Sequence, residues 1–379
     1  MMGEWRKYNL LELADIYNEK RKPLSKMQRL KLQGKYPYYG ASGIVDYIDD
    51  YTFDGEFILI SEDGENLKTR KTPIAFKASG KFWVNNHAHI IKGKTSYLND
   101  LLIYFFSNLD LNPYLTGAVQ PKLSKGTLLN IPIYLPKNES EQKAIAEVLS
   151  SLDDKIDLLH RQNKTLEEMA QTLFRQWFIE NGFDGNIGDI IDLQSGYAFK
   201  SKNFTDSGTD RVIKIKNISN STIDIVNTDF IDIEIAKNIN KKFKITSGDI
   251  LFGMTGANIG KMGIVPKNNL NLWLNQRVGL LREKYKNSKY LAYLHLTSEY
   301  GFDYIENTAS GSAQPNISAT DIEKCPFPKL TPDEVQKYSN QVASYFEKIV
   351  FNLGQIQILE NMRDILLPKL ISGEVRIKR

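Results

Sequence analysis

The sequence predicts an α/β (α+β) protein of two similar lobes, each followed by one long helix of the coiled-coil type. Three observations carry this expectation. The second half of the chain echoes the first at an offset of about 190–194 residues. Each copy opens with short strand signals between Gly, Asn and Asp turns. Each copy closes on a long apolar heptad. With 379 residues, 41% apolar and 25% charged, the chain has the length for two or three cores, and its composition excludes disorder as the main state.

The echo falls in four segments in the same order. Asp63-Gly64-Glu65-Asn66-Leu67 returns as Thr255-Gly256-Ala257-Asn258-Ile259, and Trp83-Val84-Asn85-Asn86 as Trp273-Leu274-Asn275-Gln276. Gly117-Ala118-Val119-Gln120-Pro121-Lys122 returns as Gly311-Ser312-Ala313-Gln314-Pro315-Asn316, and 131–136 as 325–330. A unit near 190 residues is too long for a solenoid repeat, so it marks a duplicated domain with its connector. The parts are then 1–138, a helix over 139–180, 181–330, and a second helix with a tail over 331–379.

Within each lobe, 56–60 and 249–252 read as strands, and 97–108 and 289–305 as short helices. The long helices start at capping boxes, Asn138-Glu139-Ser140-Glu141 and Thr331-Pro332-Asp333-Glu334, with Pro332 at the favoured first helical position. Leu149, Leu152, Ile156, Leu159, Asn163, Leu166, Ala170, Leu173 and Trp177 step by three and four along the first. Val342, Tyr345, Ile349, Asn352, Ile356, Leu359, Arg363, Leu366 and Leu370 do so along the second. Such a narrow stripe favours a coiled coil over two helices that each cover only their own lobe.

The net charge is +4, distributed as +5 over 1–138, −4 over 139–180, +2 over 181–330 and +1 over 331–379. Basic lobes suit a polyanion, and an acidic helix suits a spacer or a protein contact. No run of 18 apolar residues exists, and the first ten residues lack a signal-peptide core, which gives the expectation of a cytoplasmic protein with no membrane contact. The single cysteine, Cys325, reads as a small buried apolar side chain.

Catalytic motifs are missing. There is no phosphate-binding glycine loop and no zinc or nucleophile signature, and Gly253, Gly256 and Gly260 are spaced for turns. Asn112-Pro113-Tyr114 is similar to a methyltransferase motif but lacks one proline, so it also reads as a turn. His87 and His89 read as surface or core residues rather than metal ligands, and Asp49-Asp50 and Asp153-Asp154 as solvated pairs. The expectation is a protein with no catalytic residues, no metal and no cofactor of its own.

The binding signal points to nucleic acid. Lys20, Arg21, Lys22, Lys26, Arg29, Lys31 and Lys35 place seven cations in sixteen residues, followed by Tyr36, Tyr38 and Tyr39. Cations neutralise phosphates and aromatics pack on sugars or bases; the competing reading is a solvated helix face. Base edges are read by Asn, Gln, Arg and acidic groups. In the echoed loops the candidates are Asn66, Lys68, Arg70, Asn85, Asn86, Gln120 and Lys122. In the second copy they are Asn258, Lys261, Asn275, Gln276, Arg277, Gln314 and Asn316. For each of these, turn chemistry is the alternative.

Gly-x-x-Gln-Pro at 117–121 and 311–315, the Pro-rich strand end, the long helix near Glu141-Gln142, and Gln194-Ser195-Gly196-Tyr197-Ala198-Phe199-Lys200 together carry a resemblance over the whole chain. It resembles the specificity subunit of type I restriction–modification enzymes. The resemblance implies two target recognition domains, each reading half of a split double-stranded DNA site, joined by an antiparallel coiled coil that sets the gap. It implies docking of two adenine-methyltransferase subunits and two ATP-dependent restriction/translocase subunits. S-adenosylmethionine, ATP and Mg would be held by those partners. The competing class is a coiled-coil scaffold with two ligand-binding lobes and no DNA specificity.

In an antiparallel pair an a position faces a d position. Asn163 and Asn352 are the polar residues in the centres of their stripes, and a buried amide without a partner costs about 1–3 kcal/mol. The two should therefore meet, which sets the register. Leu149 then faces Leu366, Ala170 faces Tyr345, and Leu152 falls opposite Arg363.

Overall fold

Strand lengths in the first lobe follow its apolar runs. The computed structural model describes residues 5–117, 120–178, 182–219, 221–309 and 316–377. The chain divides into two compact units: Met1–Lys155 with Glu360–Arg379, and Ile156–Leu359.

In the first unit a six-stranded sheet runs in the order Ala14–Ile16, Ala88–Gly93, Phe53–Ser61, Ala75–Val84, Gln33–Gly40, Gly43–Ile48. Neighbours are antiparallel except Ala75–Val84 and Gln33–Gly40, which pair in parallel through Tyr38 and Trp83. The central strand Phe53–Ser61 is buried on both faces. Ile58 and Ile60 face the core closed by the helix Ser96–Asn108, while Phe57 and Leu59 face an aromatic core with Phe53, Phe82 and Ile90. This is the period of two that a strand imposes.

The second unit repeats most of that plan. Its six-stranded sheet runs Ile191–Ser195, Val278–Glu283, Ile250–Gly253, Met262–Ile264, Ser221–Ile223, Ile218–Ser219. Ranked along the chain, the first four positions hold the same strands in both units, and the outer two are exchanged. A further five-stranded sheet contains Asp210–Ile213 and Asn271–Leu274, paired in parallel through Val212 and Trp273. The origin of this difference lies in one interruption. Ala75–Val84 is continuous, whereas the matching path in the second unit breaks between Ile264 and Asn271 around Pro266, which has no N–H to extend a ladder. The two pieces join different sheets.

The region 289–305 is not one helix but two, Ser288–Leu296 and Glu299–Ala309. Thr297 Oγ1 donates to the Tyr293 carbonyl and Ser298 Oγ to that of His295, while Gly301 N–H donates to Ser298 Oγ. Hydroxyls that bond to nearby backbone compete with the helix and end it.

The long helices span Glu139–Phe178 and Pro332–Ser372. Thr331 and Glu334 form the expected reciprocal cap, each accepting the other's backbone N–H. At the first helix only half of the box forms. Asn138 Oδ1 accepts from the Ser140 N–H, but Glu141 turns away and pairs with the Arg376 guanidinium at 2.7 and 2.9 Å.

In the second unit Asn352 Nδ2 donates to Asn163 Oδ1 at 2.9 Å. In the first unit Arg363, expected opposite Leu152, pairs with the adjacent Asp153 at 2.9 Å, and Tyr104 donates to the same carboxylate. Asp153 is thus bonded within its unit rather than free in solvent. Within the second unit Trp177 lies against Tyr338 as Asn163 lies against Asn352, so the two helices run antiparallel there. Cys325 is fully buried, and burial pushes its thiol up to about 12.

Candidate nucleic-acid interface

Three loops of the first lobe meet at one end of its sheet, where Phe53–Ser61 leaves and Ala88–Gly93 begins. Glu62 N–H donates to the His87 carbonyl, Gly64 N–H to that of Pro121, and Leu123 N–H to that of Glu62. Asp63 and Lys122 form an isolated β-bridge. His89, fully buried, clamps this end. Its Nε2 lies 2.8 Å from the Leu123 carbonyl, and its Nδ1 lies 2.8 Å from Asn18 Nδ2. An amide N–H can only donate, so the imidazole is neutral with its proton on Nε2. Burial holds its pKa below the usual range.

The second lobe builds the same frame. Met254 N–H donates to the Arg277 carbonyl, Ile317 N–H to that of Met254, and Thr255 bridges to Asn316. The turn 254–261 folds over Gly253, whose N–H donates to the Lys261 carbonyl, with Gly256 and Gly260 at positive φ. At their described residues the loops of the first three echoed segments are therefore equivalent in space as well as in order.

At these ends Lys68, Asn86, Gln120 and Lys122 are exposed in the first lobe, and Lys261, Gln276, Arg277 and Asn316 in the second. Gln314 lies outside the described residues. Several other candidates have internal duties. Both ends of the Asn66 amide bond to the backbone of Thr72. Arg70, in the left-handed region at φ 49°, donates to the Ser107 and Leu109 carbonyls at the end of a helix. Asn85 and Asn275 accept from the N–H two residues on, so their oxygens build turns. Asn258 Oδ1 accepts from Lys261 Nζ. Residue type alone does not separate these from readers, because turns and base edges demand the same amides.

The basic run divides the same way. Arg21 is half-buried, 2.5 Å from Glu62, and also donates to the Asn86 and Ala88 carbonyls. Burial pushes the Glu62 carboxyl up, but the Arg21 hydrogen bond and the charges of Arg21 and Lys122 outweigh it and hold the group below its ordinary range. Arg29 pairs with Asp46 at 2.9 Å and donates to the Leu24 carbonyl. These two arginines brace the fold. Lys20, Lys22, Lys26, Lys31 and Lys35 remain exposed beside Met27 and Leu30, themselves exposed.

Sequence reasoning missed one pair. His87 Nδ1 lies 2.9 Å from both oxygens of Asp63, at the position Arg277 and Thr255 hold in the other lobe. Extending the Trp-x-Asn echo by one residue, to His87 and Arg277, was the available signal.

The profile of a family described as type I restriction modification DNA specificity domain matches residues 2–168 and again 184–360. A Haemophilus influenzae protein named as a putative type I restriction enzyme specificity subunit is 40% identical over 149 residues, covering 39% of this chain and 37% of that protein. The MjaIX specificity subunit of Methanocaldococcus jannaschii is 27% identical over 352 residues, covering 85% of this chain and 80% of that protein. The crystal structure of a type I restriction–modification S subunit from M. genitalium shares the fold, with a TM-score of 0.63 at 17% identity over 97% of this chain and 96% of that one.

Proposed function

Since this chain belongs to the type I restriction modification DNA specificity family, we propose that its two lobes each read one half of a split, asymmetric double-stranded DNA site. The observation that supports this reading is the shared backbone frame at the two loop ends, on which different exposed side chains stand. Two similar folds with different readers suit two different half-sites. Exposed lysines at 20, 22, 26 and 35 would neutralise phosphates. Gln276, Arg277, Asn316 and Lys261 would read one half-site, and Asn86, Gln120, Lys122 and Lys68 the other.

The long helices would set the spacing of the half-sites and dock two adenine-methyltransferase subunits, to which two restriction/translocase subunits add. An apolar surface left on them, including Leu158, Met169, Phe351 and Ile358, suits such docking. Methylation and ATP-dependent cleavage would belong to those partners, with their S-adenosylmethionine, ATP and Mg. Among the described residues no helix is long and apolar enough to cross a membrane; the proposed place of action is on DNA in the cytoplasm.

The test is selection from a random duplex library by the full chain bound to a type I methyltransferase subunit. Two short conserved half-sites separated by an unconserved gap are expected, with affinity falling steeply as salt rises. Binding without sequence preference and indifferent to salt would instead indicate the scaffold.

A further inference from the structure

We propose that Asp63 and His87 are a base-reading pair of the first lobe, matching Thr255 and Arg277 in the second; the inference rests on the DNA reading proposed above. Four features of the turn make the two places equivalent. The Asn85 and Asn275 N–H groups donate to the Tyr39 and Ile213 carbonyls at 3.0 and 3.1 Å. The same two asparagines accept from His87 N–H and Arg277 N–H at 2.7 and 3.4 Å. The His87 and Arg277 carbonyls accept from Glu62 N–H and Met254 N–H at 2.9 and 3.2 Å. Asp63 and Thr255 then bridge to Lys122 and Asn316. An identical turn thus presents His87 in one lobe and Arg277 in the other.

The chemistry at that place differs in sign. Arg277 is exposed and cationic, with Thr255 beside it, and a guanidinium suits the O6 and N7 acceptors of guanine. In the first lobe the His87 side chain is 48% exposed and the Asp63 side chain 17%, and the imidazole holds the carboxylate at 2.9 Å. The neighbouring Lys122 ammonium is 3.4 Å from Glu62. A carboxylate accepts several hydrogen bonds, so an orienting imidazole leaves it acceptor capacity. Its complement in the major groove is an exocyclic amino group, above all that of cytosine. The first lobe should therefore require an amino-bearing base where the second requires guanine.

The experiment uses the full chain with a methyltransferase subunit and duplexes randomised across both half-sites. Asp63→Asn should lower discrimination at a single base position of one half-site by roughly tenfold or more, leaving the salt dependence and the other half-site unchanged. The paired change Asp63→Thr with His87→Arg should move that position toward guanine, which a merely structural role would not do. Unchanged preference at the other positions of the same half-site reports that the substituted first lobe is folded. If the wild type selects two half-sites and the variants keep its preference, or weaken every sequence alike, the assignment is overturned. If the wild type selects no sequence, the DNA reading beneath it fails instead.

Discussion

The amide pair in the coil is the residue-scale feature on which the pairing of the helices turns. Asn352 Nδ2 reaches Asn163 Oδ1, yet among the described residues Asn163 Nδ2 and Asn352 Oδ1 have no partner. A half-satisfied buried pair costs stability and is retained, on this view, for register. Replacing either Asn alone by Leu should cost about 1–3 kcal/mol in urea unfolding. Replacing both should recover that loss or exceed it; simple additivity of the two losses would mean that the amides are not coupled. His295 gives a second expectation. It is 1% exposed, its Nε2 meets the Pro326 carbonyl and the Cys325 sulfur, and burial holds its pKa down to about 4. The folded imidazole thus resists protonation that the unfolded chain accepts near 6.5, so stability is full above that pH and declines as pH falls toward 4. The loss should be on the order of 3 kcal/mol, and His295→Gln should flatten the pH profile of the melting temperature. The two Asn residues were legible because a polar residue interrupts an apolar stripe. The bonds of Asn66 and Arg70 were not, since their partners Thr72, Ser107 and Leu109 contribute backbone atoms that no side-chain pattern marks.

Among the elements, helix starts were more legible than helix breaks. Thr331 and Glu334 cap as their spacing requires, and Thr331→Ala should cost about 0.5–2 kcal/mol in thermal unfolding. Glu141 has the same spacing but is drawn to Arg376, 235 residues away, a partner no local motif announces. The stop at Thr297 was hidden because Thr and Ser occur within helices as well as at their ends. Gly354 offers a sharper case. In the middle of a helix, Gly→Ala ordinarily stabilises by about 0.5–1 kcal/mol. Here a Cβ would stand 2.7 Å from the Lys267 carbonyl oxygen and 2.8 Å from its Cβ, where Lys267 N–H also bonds to the Val350 carbonyl. Gly354→Ala should therefore destabilise, by about 1–3 kcal/mol, and a raised melting temperature would show that the loop yields.

For the whole molecule, duplication was legible from four short echoes, because the loops that must hold one backbone frame keep their Asn, Gly and Pro. The second sheet of the later lobe was not, because its cause is a break at Pro266 that reads like any other turn. Salt dependence belongs to this scale. Charge reversal at Lys26 and Lys35 should weaken binding to all duplexes alike and reduce the log–log salt slope by about one for each phosphate left without its cation; a change confined to one sequence would make these lysines readers. The division of the chain has a temporal meaning as well. The unit Ile156–Leu359 is one uninterrupted stretch, while the unit that begins the chain takes Leu370 and Ile371 into its core and Arg376 onto Glu141. On the ribosome the order of completion is therefore inverted. The lobe translated second can finish first, and the lobe translated first must wait, with Ile145 and Leu149 uncovered, until nearly the last described residue has emerged.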